Sequence, residues 1–126
     1  MKIIPLFKVR DMRKSIAHYT ELLDFKLTDS DDSADSFVVD LAKDEAALQL
    51  TILESDQLFG SVANIVVDDV DSLFASYKSR GLDTTSKKDS PVHQGPIDQT
   101  WGRREFYITD PDGNTLRFCQ QQIFLP

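Results

Sequence analysis

The chain starts the same way twice. Val9-Arg10-Asp11-Met12 is answered 58 residues later by Val67-Asp68-Asp69-Val70, Ala17 and Tyr19 by Ala75 and Tyr77, and Ile4 and Phe7 fall opposite Val62 and Ile65. The identities are few, but strand, cap and helix face recur in phase. In each start an extended apolar run, 3–9 or 61–67, leads to an aspartate whose carboxylate can accept the orphan N–H groups of a first helical turn. Apolar residues then return at helical spacing: Met12, Ile16, Tyr19 and Leu22/Leu23 in the first, Val70, Leu73, Phe74 and Tyr77 in the second. The second helix stops at Gly81, which suits a left-handed cap.

Each helix gives way to strands. Residues 25–28, 37–41 and 47–53 are extended candidates in the first half, with 42–45 as a hairpin turn, 29–35 an acidic turn and 54–60 a connector. In the second half 84–100 is polar with Pro91, Gly95 and Pro96, and predicts a loop with at most one short strand. A strongly marked hairpin closes the chain before a tail at 120–126. Phe106 and Ile108 alternate with Glu105 and Tyr107, Asp110-Pro111-Asp112-Gly113-Asn114 reverses direction, and Leu116 and Phe118 alternate with Thr115, Arg117 and Cys119. The expected fold is α+β: one domain, 1–126, of two βαβββ pseudo-repeats, 1–57 and 58–126. Each is too small to bury both faces of its sheet. Paired, they would make a curved mixed sheet with helices on the outer face and a cleft on the inner.

Composition narrows the function classes. A net charge of −7 disfavours nucleic acid and anionic membrane as partners. No apolar run approaches the roughly 18 residues of a membrane span. The N-terminus has no signal-peptide core, which predicts a cytoplasmic protein. The single Cys119 can form neither an internal disulfide nor a cysteine metal cage, and reads as a packed thiol. Of the two histidines, His18 lies off the apolar stripe and reads as a surface residue, and His93 as a solvated loop residue. The acids of 29–35 lack a glycine-pinned loop that would hold a cation. No nucleophile elbow or phosphate loop is present. Glu105, placed by alternation opposite the core face, is either a base in a partly apolar cleft or an ion-pair partner of Arg103, Arg104 or Arg117; the second reading is preferred. Trp101 beside Gly102 offers a flat face to a planar ligand or a cation, or else plugs the core.

Trp101-Gly102-Arg103-Arg104-Glu105-Phe106 followed by Asp110-Pro111-Asp112-Gly113-Asn114 resembles the C-terminal signature of the vicinal oxygen chelate superfamily, which includes glyoxalase I, dioxygenases and bleomycin resistance proteins. The two strand-to-helix junctions at Asp11 and Asp69 resemble that superfamily's as well. The resemblance runs over nearly the whole chain and points to the bleomycin-resistance branch, whose paired modules form the glyoxalase/bleomycin resistance fold. It places the metal-ligand positions of the family's enzymes on Ile4, Val62 and Arg117, none of which can serve. It therefore implies a metal-independent binder, with no cofactor and no catalytic residue, that sequesters a bleomycin-like or other aromatic or cationic compound as a homodimer. By position, Trp101 and Phe37 resemble aromatic walls, and 29–35 a negative rim. Asn64, Glu105, Tyr107, Arg117 and Lys8 join them as inward-facing binding residues, Lys8 and Arg117 putting positive charge on the cleft floor. Pro5 suits an edge strand or an exchanged arm. Two alternatives stay open: an enzyme of the superfamily with unusual site residues, and a regulatory module without a tight ligand.

Overall fold

The computed structural model describes residues 1–56 and 58–121. The chain forms two compact units, 1–62 with 109–115 and 63–108 with the C-terminal strand from Leu116. In the first, β1 (Leu6–Lys8), α1 (Met12–Ala17), β2 (Lys26–Leu27), β3 (Val38–Lys43) and β4 (Ala46–Thr51) follow one another. Their sheet has the order β1-β4-β3-β2, with β1 parallel to β4 and the other pairs antiparallel. The second holds β5 (Val62–Val66), α2 (Val70–Ser79), α3 (Pro91–Gln94), β6 (Ile97–Asp98), β7 (Arg103–Thr109) and β8 (Thr115–Gln121), apart from the strand ends Val62, Thr109 and Thr115, which fall in the first. Its sheet runs β5-β8-β7-β6. The two sheets therefore repeat one strand order, the topological form of the sequence repeat. The fold is α+β. No helix among the described residues is long and apolar enough to cross a membrane.

The caps form where the sequence places them. Asp11 accepts from the Lys14 amide at 3.1 Å and Asp69 from the Ser72 amide at 3.0 Å, and Gly81 has φ 102°. In the first unit Phe7, Val9, Met12, Tyr19, Leu23, Phe25, Val39, Leu41, Leu48 and Leu50 are buried. In the second, Phe106 and Phe118 stack at 4.9 Å with Tyr77 of α2 edge-on to both. Cys119 is buried.

Four expectations are corrected. The first strand begins at Leu6, because residues 3–5 find no ladder: Pro5 has no N–H to give, and only its carbonyl is used, by the Gln49 amide. The β3–β4 turn is only Asp44-Glu45, since Lys43 pairs with Ala46 and Asp44 takes φ 52°. Residues 84–100 contain a short helix besides their strand, opened by Ser90-Pro91 with proline in the first turn. His18 is half-buried, because α1 runs on into a wider π-helical turn, His18–Leu22, that sets its ring edge-on to Tyr19 at 4.8 Å. The expected tail at 120–126 lies largely outside the described residues, and Gln120 and Gln121 extend β8.

The hairpin turn is held by one carboxylate. Asp110 accepts from the amides of Asp112 (2.8 Å) and Asn114 (3.0 Å), from the Asn114 side chain (3.0 Å) and from the Tyr19 hydroxyl (2.8 Å). Asn114 in turn donates to the Lys8 carbonyl and accepts from the Ser61 amide. Gly113, at φ 86°, completes the reversal.

Candidate functional site

Alternation along β7 divides its side chains. Phe106 and Ile108 go to the core, while Arg103, Glu105 and Tyr107 share the other face. Along β8, Leu116 and Phe118 are core, and Arg117 and Cys119 meet the second set: Arg117 reaches Glu105 and the Arg103 guanidinium donates to the Cys119 sulfur at 3.4 Å. Arg104 points the opposite way and clasps Asp71 of α2 and Asp98 of β6, each at 3.0 Å. The ion-pair partner of Glu105 is thus Arg117.

Glu105 is the centre of the face. Only 2% exposed, its carboxylate accepts from the Tyr107 hydroxyl at 2.9 Å, the Arg117 guanidinium at 3.2 Å and the Trp101 indole N–H at 3.3 Å. A buried carboxylate is tolerable only with such donors around it. The Arg117 guanidinium lies 4.6 Å from the centre of the Tyr107 ring, and His93 of α3 meets the same ring edge-on at 5.9 Å. Burial, then the bond to Glu105, pushes the Tyr107 phenol up. Burial works against the Arg117 charge, but Glu105 outweighs it and holds the guanidinium above its ordinary range. Burial and the nearby Lys87 lower His93, whose Nδ1 lies 2.8 Å from the Ser90 hydroxyl.

Trp101 sits on the turn between β6 and β7, where Gly102 (φ 83°) donates to the Gln99 carbonyl and Gln99 to that of Arg103. Its edge is tied to Glu105 while the residue stays 56% exposed, so the indole offers its face rather than plugging the core. Asn64 is on the exposed side of β5 with Val62 and Val66. The structure therefore brings Trp101, Glu105, Tyr107 and Arg117 into one bonded group and keeps Asn64 on the same unit.

Lys8 and Phe37 belong to the first unit. Lys8 is buried, its ammonium donating to the Leu53 carbonyl, and it lines a hollow of about 310 Å³ with Leu6, Thr51, Ser55, Asp56, Leu58 and Ser61. Phe37 stands exposed before β3. Arg103 was read in the sequence only as a possible partner of Glu105, although counting back by two from Glu105 puts it on this face; Ile97 was missed, and needed its register opposite Glu105.

The model of the Glyoxalase/Bleomycin resistance protein/Dioxygenase superfamily matches residues 6–118. The chain belongs to that superfamily. Within it, a curated bleomycin resistance protein of Geobacillus stearothermophilus is 30% identical over 142 aligned positions, covering 96% of this chain and 97% of its own. A crystal structure of a bleomycin-binding protein complexed with bleomycin superposes with a TM-score of 0.72 at 24% identity, covering 97% and 99% of the two chains. TnmS3, an antibiotic binding protein from Streptomyces sp. CB03234, gives 0.68 at 25% identity, covering 97% and 98%. Both superpositions carry the glyoxalase/bleomycin resistance fold. The sequence resemblance would set the metal ligands of the superfamily's enzymes at Ile4, Val62 and Arg117. Ile4 and Val62 are exposed aliphatics with no lone pair, and Arg117 is a cation already engaged by Glu105. These residues do not fit a metal.

Proposed function

We propose that this superfamily member is a metal-independent binding protein that sequesters a flat aromatic small molecule, bleomycin-like in the first instance, and performs no chemistry on it. The observation that carries the reading is the ion pair of Arg117 with Glu105, Arg117 being the residue that the sequence resemblance would set where metal enzymes of the superfamily have a ligating carboxylate. The curated bleomycin resistance relative supports it, as does the half-exposed indole of Trp101. Binding would draw on apolar burial at about 25 cal/mol per Å² and on stacking of ~0.5–1.5 kcal/mol per aromatic contact. Asn64, Glu105, Tyr107 and Arg117 are the polar groups of this site, and Lys8 and Phe37, on the first unit, are binding residues of that unit. The reading includes a single domain of two repeats, 1–57 and 58–126, acting as a cytoplasmic homodimer. Exposed Val62 and Val66 on β5, an edge strand of its sheet, support the dimer.

A thermal-shift titration with bleomycin tests the function. Ligand at 100 times its dissociation constant adds about 2.7 kcal/mol of stability, and Trp101→Ala abolishes the shift. An undiminished shift in the variant rejects the stacking role. Stoichiometric metal in protein purified without chelator would overturn the metal-independent reading.

A further inference from the structure

The overall charge of the chain is −7, yet the face that carries the Glu105 group is positive. On β7 and β8 its charged side chains are two guanidinium groups, Arg103 and Arg117, against one carboxylate, Glu105. That carboxylate is enclosed and engaged by three donors, so it has little left to offer a ligand. The other acids near these strands do not reach the face: Asp71 and Asp98 are held by Arg104 on the opposite side. His93 adds little charge, because burial and Lys87 both disfavour its protonation. Arg117 is different. Its side chain is 31% exposed, although its Nε is buried and has no hydrogen-bond partner among the described residues.

One residue also spaces the recognition groups. Opposite oxygens of the Glu105 carboxylate hold the Trp101 indole edge and the Arg117 guanidinium. An aromatic surface and a cationic donor are thereby tied to one carboxylate, each of the two side chains partly exposed. A cationic ligand on this face would meet an unneutralised guanidinium, whereas an anion would meet a planar donor fork.

We propose that this site selects planar aromatic ligands bearing an anionic oxygen, a carboxylate or phenolate, with Trp101 stacking on the ring, Arg117 taking the oxygen and Glu105 positioning both. The proposal rests on the ligand-binding reading above and narrows it, away from cationic compounds at this face. Arg103 adds a second attraction from the same face, its guanidinium donating to a sulfur acceptor rather than to a carboxylate.

Isothermal titration of the full chain at low salt with three matched probes tests this: 2-naphthoate, 2-naphthamide and (2-naphthyl)methylammonium. The carboxylate should bind about tenfold more tightly than the carboxamide, a difference of about 1.4 kcal/mol, and the ammonium most weakly. Arg117→Gln should level carboxylate and carboxamide. Because that variant leaves Glu105 without its cation and so threatens folding, Arg103→Gln is measured beside it, and should reduce the carboxylate preference while leaving carboxamide affinity in place. Equal affinities, tightest binding of the ammonium, or no binding of any probe would overturn the proposal. A bleomycin-induced thermal shift that persists in any of those cases leaves the ligand-binding reading standing, and its absence removes both.

Discussion

Replacing Tyr19 by Phe removes one oxygen from the network that holds the hairpin turn, and little else. The ring keeps its packing, 6.5 Å from Phe7 and 6.1 Å from Phe25 between centroids, so no cavity opens. The loss is a 2.8 Å hydrogen bond from a buried hydroxyl to the Asp110 carboxylate. Hydrogen bonds to charged groups contribute ~1.5–3 kcal/mol. Asp110 is not orphaned by the change: the same oxygen keeps the Asn114 side chain at 3.0 Å, and the other keeps two backbone amides. The expected cost is therefore about 2 kcal/mol, toward the lower half of the range, which for a chain of this size lowers Tm by roughly 6–10 °C. Urea titration should show a lower midpoint with an unchanged slope, because the same surface is exposed on unfolding. Asn114→Ala should cost more, about 3–4 kcal/mol, since it also strands the Ser61 amide and the Lys8 carbonyl. A Tyr19→Phe cost below about 0.5 kcal/mol with the slope unchanged would refute the account of the turn as a lock built on one buried charge.

Burial lowers His18 below its ordinary value of 6.5, and the Asp110 charge offsets only part of this. The folded state thus binds fewer protons than the unfolded one as acidity rises, so the stability is present above pH 6.5 and lost as pH falls toward the folded value. Urea midpoints at about pH 7.5 and about 5.5 should differ less in His18→Gln than in the parent, the remaining difference including His93, which is lowered in the same direction. The Cys119 thiol, fully buried and flanked by the Arg103 guanidinium and the Ile65 carbonyl, should react with Ellman's reagent slowly in the native protein and at once in denaturant; fast native reaction would contradict its placement. Gly81→Ala meets open space but must hold φ 102°, and should cost about 1 kcal/mol in thermal denaturation through backbone strain alone.

Periodicity and turn chemistry are local, and they carried the element types outside 84–100, both aspartate caps, Gly81 and the closing hairpin. The alternation around Phe106 and Phe118 also placed Glu105, Tyr107 and Arg117 on one face, since side chains two apart on a strand must share a side. Which cation Glu105 takes was open among Arg103, Arg104 and Arg117, because the answer depends on cross-strand register and on a helix: β8 brings Arg117 opposite, and Asp71 of α2 draws Arg104 the other way. The inward turn of His18 depended on a π-helical turn that leaves no local trace in composition. The tie between Trp101 and Glu105 likewise required a turn whose geometry is set by Gly102 and by the pairing on either side of it. Local spacing decides which face a residue occupies; only the packed chain decides which charge stands across from it, because that partner arrives from a distant strand.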